Sequence, residues 1–373
     1  MEKVIKLTGR IDTNNIDEVE KNIKEEIKDF KGELIFDADE LEYISSAGLR
    51  MILRMKKDND NTKIINCSKE VYDVFEMTGF SEMMDISKTY RKLSIDGCEV
   101  IGDGFYGTVY RIDPETIVKV YKKPDSLEMV KREKDLSRKA FVLGIPTAIP
   151  YDIVRVGDNY GSVFELLNCR SLEKAIQEGE DVPTLAKKCV DILKKIHSIK
   201  MEPGELPNKK EQMIEMANNC KDYLSKETLD KLISLINSIP DTNTMIHGDF
   251  HIKNLMEQDD ELLIIDMDTL SMGSPIFELS AIYATYEAFA CVNKNNPQEF
   301  LGITYEQSKT MCDTIFELYY KDTPKKDLEE SLKLIKLIAY LKVLFIRTKF
   351  INKENKYQND EIEFCKKYIT ENV

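Results

Sequence analysis

A chain of 373 residues, 42% hydrophobic and 32% charged, has the makeup of a folded globular protein of two or three domains. Its net charge of −14 excludes the basic footprint of a nucleic-acid binder and disfavours an anionic membrane surface as partner. No apolar run is long enough for a signal-peptide core or a membrane span, and the eight cysteines are scattered without a C-x-x-C; the expectation is a cytoplasmic protein with reduced thiols, no disulfide frame and no zinc site.

The first ninety or so residues alternate strand and helix patterns. Val4–Leu7 and Ile11 predict a strand pair around Thr8-Gly9-Arg10, and Ile16, Val19, Ile23, Ile27 and Phe30 recur at helical spacing. Leu34-Ile35-Phe36 predicts a buried strand within Glu33–Asp37, Ser46–Lys57 a helix, Lys63–Asn66 a strand, and Val71, Val74, Phe75 and Met77 a closing helix. The texture changes near Lys88–Ser94, so an α/β domain over 1–90 is expected ahead of a larger one over 91–373.

Gly9-Arg10-Ile11-Asp12 and Leu41-Glu42-Tyr43-Ile44-Ser45-Ser46-Ala47-Gly48-Leu49-Arg50 resemble a STAS domain, the fold of bacterial anti-sigma-factor antagonists. The resemblance implies a protein partner and a regulatory phosphosite at Ser46, where phosphate would meet the free N–H groups of a helix start. The plainer alternative is that Ser45 or Ser46 caps the helix.

Beyond the boundary, Gly102, Gly104 and Gly107 form G-x-G-x-x-G between Glu99–Ile101 and Thr108–Arg111, with a further strand at Ile117–Tyr121. Glycine lets a backbone approach phosphate oxygens closely. In a dinucleotide-binding domain a helix follows this motif; strand–loop–strand is the context of a kinase. Lys119, between Val118 and Val120, is placed to hold nucleotide phosphates, and Glu133 is its expected ion-pair partner, with Glu128 and Asp135 as alternatives. Gly161–Leu167 predicts the last strand of an N-lobe of about 91–167, with backbone near Glu165–Leu167 contacting adenine.

The richest string is Ile246-His247-Gly248-Asp249-Phe250-His251-Ile252-Lys253-Asn254-Leu255, followed by the apolar Leu262–Ile265 and then Asp266-Met267-Asp268. Phosphoryl transfer needs an oriented acceptor hydroxyl and metal-neutralised phosphate charge. Asp249 fits the first need; Asn254 and Asp266 fit the second as Mg²⁺ ligands. Asp268 reads as a second metal contact or a bystander. His197 lies on an apolar helix and reads as structural. Two helices are expected over Lys210–Leu224 and Lys226–Ile239, and a core helix over Ser331–Asn352.

His247-Gly248-Asp249 with Asn254 and Ile265-Asp266 resembles aminoglycoside phosphotransferases, choline kinases and their relatives, over about residues 95–373. Protein kinases usually carry Arg where Gly248 stands and end a long activation segment in A-P-E, which is not found. The resemblance implies a bilobal α+β protein-kinase-like fold with a β-rich N-lobe and a helical C-lobe over about 168–373. It implies ATP as phosphate donor, with GTP left open, and a small hydroxyl acceptor of the amino-sugar or amino-alcohol class, bound in a pocket near Tyr283–Phe289. Glu278 stands where relatives carry Asp to brace the catalytic loop. Two other readings stay open: a signalling kinase acting on a protein serine, with Ser46 of the same chain as one candidate, and a nucleotide-binding regulatory pseudokinase.

Overall fold

The computed structural model describes residues 2–28, 30–104, 106–124, 126–258, 261–350 and 355–373. Phe105 of the glycine-rich string and residues 351–352 of the expected tail helix lie outside them. The chain divides into two compact units, Met1–Ser94 with Ile153–Asp158, and Ile95–Asp152 with Asn159–Val373.

In the first unit the order is β1 (Glu2–Ile11), α1 (Ile16–Glu26), β2 (Glu33–Ile44), α2 (Ser46–Asp58), β3 (Thr62–Cys67), α3 (Lys69–Met77), β4 (Ile86–Lys88) and the short β5 (Arg91–Lys92). Strands β1 to β4 form a parallel sheet in sequence order, the arrangement expected when helices cross over between strands. Leu7, Leu34, Phe36, Ile52 and Phe75 are buried together at its centre. The predicted strand pair around Gly9 is corrected: β1 runs straight through to Ile11 beside β2. Gly9, at φ 63°, absorbs a local irregularity where the register between the strands shifts, and no reversal occurs. For the same reason β2 extends well past Asp37, to Ile44.

Helix α2 explains the serine–glycine string. Ser45 is its N-cap, with Oγ accepting from Gly48 N at 3.4 Å. Gly48 is where the helix comes closest to the sheet: a Cβ there would stand 2.6 Å from Ile44 Cγ1 and 3.0 Å from Ile11 Cγ2. Ser46 is exposed and is not the cap.

The second unit opens with β6 (Glu99–Asp103), β7 (Gly107–Asp113) and β8 (Thr116–Tyr121), an antiparallel run. It continues through α4 (Leu127–Val142), the first residues of β9 (Pro150–Val156), whose remainder counts with the first unit, and β10 (Asn159–Glu165). Strand β10 pairs antiparallel with β8. After β11 (Arg170–Ser171) the chain is mainly helical: α5 (Leu172–Gln177), α6 (Val182–Ser198), α7 (Lys209–Asn219) and α8 (Lys226–Ser238). Short strands β12 (Met245–Ile246), β13 (Leu255–Gln258), β14 (Glu261–Ile264) and β15 (Ser271–Met272) carry the polar string. Helices α9 (Pro275–Tyr286), α10 (Asn296–Leu301), α11 (Tyr305–Tyr319), α12 (Lys325–Lys349) and α13 (Gln358–Asn372) complete it. A strand-rich first part and a helical second part make a kinase-like fold. Among the described residues, no helix is long and apolar enough to cross a membrane.

Helix α6 packs between α11 and the sheet segment β14, and α9 lies against α12. Every polar backbone group of a buried loop needs a partner. The segment 247–254 therefore gains its fixed shape from what these elements offer it.

Candidate active site

Residues 247–254 link β12 to β13 and are tied down at nearly every step. Glu278, fully buried in α9, accepts from His247 N and, at 2.9 Å, from Gly248 N. Glutamate at this position thus reaches the loop that a shorter aspartate was expected to brace. Burial opposes the charge on Glu278, but the nearby His197 ring, 3.9 Å away, and the loop N–H groups hold its pKa lowered. His197 Nδ1 lies 2.8 Å from the Tyr319 hydroxyl, so it supports the brace from behind. The His247 ring spans the loop in its Nε2–H form: Nε2 donates to Ile265 O at 3.2 Å and Nδ1 accepts from Asp249 N at 3.3 Å. The buried Tyr286 hydroxyl accepts from Ile252 N at 3.0 Å. Tyr286 therefore holds the loop and does not line a pocket.

Gly248 sits at φ 87°, and a Cβ there would stand 2.9 Å from Thr269 O. Both facts require glycine, which accounts for the difference from the arginine of protein kinases.

Asp249 is half-exposed at the loop's crest. Burial of its carboxylate would raise the pKa, but the His251 hydrogen bond and the Lys342 charge hold it well below the usual carboxylate range. His251 Nε2 lies 3.4 Å from Oδ2 and Lys342 Nζ 3.7 Å from Oδ1. Asn254 donates from Nδ2 to Asp249 O at 3.0 Å, leaving its Oδ1 as the atom available to a cation. Asp266 follows β14 at φ 66°, a conformation rare outside glycine and characteristic of strained functional positions.

Lys119 on β8 donates to Glu133 Oε1 of α4 at 2.7 Å and to Asp266 Oδ1 at 2.8 Å. Burial alone would lower its pKa; the two carboxylates hold it raised, so it stays charged. Glu133 is thus the partner, and neither Glu128 nor Asp135 is: Glu128 pairs with Lys131. The glycine-rich hairpin is closed by Gly104 N donating to Gly107 O at 2.9 Å and Lys122 Nζ to Gly104 O at 2.7 Å. A Cβ on Gly107 would stand 2.7 Å from Val120 O, whereas at Gly102 and Gly104 it would make only ordinary contacts. Internal packing therefore demands glycine at 107 alone; at 102 and 104 glycine leaves space that a ligand can use.

At the end of β10, Glu165 N donates to Ile149 O and Leu166 N to Glu115 O. Of the expected adenine-binding stretch, the Leu167 N–H is left without a donor contact among the described residues.

Magnesium fits this donor set. Among the described residues no group of three His, Cys, Asp or Glu could hold a metal by itself, and a magnesium ion usually shares its shell with substrate phosphates and water. Burial and the neighbouring Asp266 charge raise the Asp268 pKa, so the pair carries a surplus of negative potential that a cation relieves.

Three contributors escaped sequence reasoning. Tyr106, in the glycine-rich loop, feels the charges of Asp268, Asp249 and Asp266. Lys342 and Lys209 stand beside the catalytic-type loop. The available signal for Lys342 was a lysine between the buried Leu341 and Val343, on a helix otherwise read as core.

Residues 97–294 match the family model described as APH, phosphotransferase enzyme family, and residues 2–93 match the STAS domain. No curated protein matches the chain in sequence. Among solved structures, similarity extends to a thermostable mutant of aminoglycoside phosphotransferase APH(4)-Ia in ternary complex with ADP and hygromycin B, at 12% identity and TM-score 0.52, covering 74% of this chain and 93% of that one. A choline/ethanolamine kinase family protein from Mesorhizobium loti is similar at 12% identity and TM-score 0.51, covering 73% and 87%. Likeness at this identity shows a shared fold.

Proposed function

We propose, for a chain that belongs to the APH phosphotransferase enzyme family and carries a STAS domain ahead of it, transfer of the γ-phosphate of ATP to a hydroxyl of a small molecule. The observation that carries this reading is Lys119 held at 2.7 Å from Glu133 and 2.8 Å from Asp266, in one unit with Asp249 and Asn254. A nucleotide cradle is of little use without a fixed acceptor base, and the pairing of Lys119 with a tied-down Asp249 supports reading the two together.

Gly102, Gly104 and Gly107 would lie over the phosphates, with the Leu167 N–H available to adenine. Lys119 would hold phosphate oxygens, Glu133 keeping it in place as Asp266 turns to the metal. Asn254 Oδ1 and Asp266 would hold Mg²⁺, which supplies charge neutralisation on the phosphates when bound. Asp249 accepts a hydrogen bond from the acceptor hydroxyl and orients it toward the γ-phosphorus. The new O–P bond forms as the bond to the β–γ bridging oxygen breaks; the hydroxyl proton passes to Asp249, and ADP leaves. A base of low pKa suits this late proton transfer, because its first task is orientation.

Asp249→Ala is expected to lower acceptor-dependent ADP formation by about 10²–10⁴-fold, measured with a coupled assay on the full-length protein. Unchanged turnover in that variant would sink the assignment. A second reading, a signalling kinase acting on a protein serine, is favoured by one observation: Ser46 is exposed at the first turn of α2 and free of the capping role that Ser45 fills.

A further inference from the structure

Two lysines stand beside the loop that carries Asp249: Lys342 faces its carboxylate, and Lys209 has no hydrogen-bond or ion-pair partner among the described residues. Lys342 comes from the middle of α12, where the buried Leu341 and Val343 fix the backbone on either side. Its side chain is 20% exposed, and Nζ stops 3.7 Å from Asp249 Oδ1, beyond hydrogen-bond reach. Lys209 is the first residue of α7. Its Nζ lies 3.1 Å from where a Cβ on Gly248 would stand, directly over the loop. Among the described residues Lys209 Nζ makes no hydrogen bond or ion pair. Its neighbour Lys210, by contrast, pairs with Asp241 at 2.7 Å.

Of the carboxylates that face Lys209, Asp249 is shared with Lys342, Asp268 acts only through its field, and the others are committed elsewhere. Glu278 is occupied by His247 N and Gly248 N, and Asp266 by Lys119. Two like charges in a half-buried corner are costly unless something neutralises them. Burial first, and then the charge of Lys342, push Lys209 down to about 8, the effect an arriving anion would reverse. An amino group brought to the same corner would meet two ammonium ions.

From this geometry we propose that the acceptor is a hydroxyl compound bearing an oxyanion, carboxylate or phosphate, which Lys209 and Lys342 bind while Asp249 orients the hydroxyl. The proposal rests on the phosphoryl-transfer reading above. It replaces the amino-sugar or amino-alcohol class suggested by resemblance with its electrostatic opposite. No covalent step is added: the lysines bind and place the acceptor.

The test is turnover by the full-length protein with MgATP across compounds of one carbon skeleton and different charge: a sugar acid, the sugar phosphate, the neutral sugar and the amino sugar. Thermal stabilisation by MgATP alone is measured in parallel. The expected result is phosphorylation of one acidic member in preference to the neutral and amino members. Its KM should rise on the order of tenfold or more in Lys342→Gln and in Lys209→Gln, with substantial recovery in Lys342→Arg. Sugar acid against sugar phosphate distinguishes the two oxyanions. Preference for the amino or neutral sugar, or an acid KM indifferent to both Gln variants, overturns the proposal and leaves the kinase reading standing. No MgATP stabilisation and no transfer to any member overturns both.

Discussion

At the scale of single residues, the two features that set this loop apart are Gly248 and Lys209, and they are neighbours in space. Gly248→Ala would have to adopt φ near 87° against Thr269 O. A loss of about 1–3 kcal/mol is expected from that conformation, read as a lower urea midpoint in the far-UV signal with Lys209 untouched. A stability equal to the parent's would show that the loop can turn without glycine. Lys209 makes a second prediction. It is faced by Lys342 from α12, Glu278 from α9, and Asp249 and Asp268 from the loops. With its pKa lowered to about 8, it is charged below that pH and loses its charge above it. For an acidic acceptor, kcat/KM should therefore fall as pH rises through about 8, since this ratio reports groups of the free enzyme. Lys209→Arg should move that limb to higher pH, because a guanidinium keeps its proton. A profile flat from pH 7 to 9 would remove Lys209 from acceptor binding.

Elements obey the same logic of close approach. Helix α2 sits so near the sheet that Gly48 is the point of contact with Ile44 and Ile11. Gly48→Ala should destabilise the first unit by about 1–3 kcal/mol through overpacking, outweighing the gain in helix propensity of roughly 1 kcal/mol. Ser45→Ala, which removes the cap, should cost about 1 kcal/mol. Both are checked by chemical denaturation followed through signals of residues 1–94, and a stabilised Gly48→Ala would show that α2 can shift outward. Legibility in the sequence follows from how local each signal is. Strands and helices of the first unit were readable because apolar residues at periods of two and 3.6 mark faces. The false reversal at Gly9 arose because a glycine in a strand and a glycine in a turn look alike in sequence; parallel pairing with β2 decides between them. The glycine-rich hairpin, Lys119 and the string from His247 to Asp266 stood out because their spacing along the chain is itself the geometry. Lys342 did not, since a helix pattern gives its core face but not which distant loop a lone lysine meets.

For the whole molecule, the succession of a STAS domain and a phosphotransferase domain was legible from two short strings, while the acceptor chemistry we propose was not, because it rests on side chains from α7 and α12 gathered around a loop between them in sequence. Fusion of the two domains invites the thought that the kinase modifies Ser46. The residue is exposed and spared from capping, and phosphate at a helix start is electrostatically welcome. Against this stands the corner around Asp249: Lys209 and Lys342 are suited to an acceptor that brings its own negative charge, and Ser46 with its flanking Ser45 and Ala47 brings none. We therefore expect purified full-length protein incubated with MgATP to keep its mass, with Ser46 unmodified on site mapping, in the wild type as in Asp249→Ala. One added phosphate on Ser46 in the wild type, absent from Asp249→Ala, would turn the balance toward the signalling reading. It would mean that the two lysines serve the transferred phosphate and not the acceptor, since a neutral serine hydroxyl would then have been placed beside Asp249 without their help.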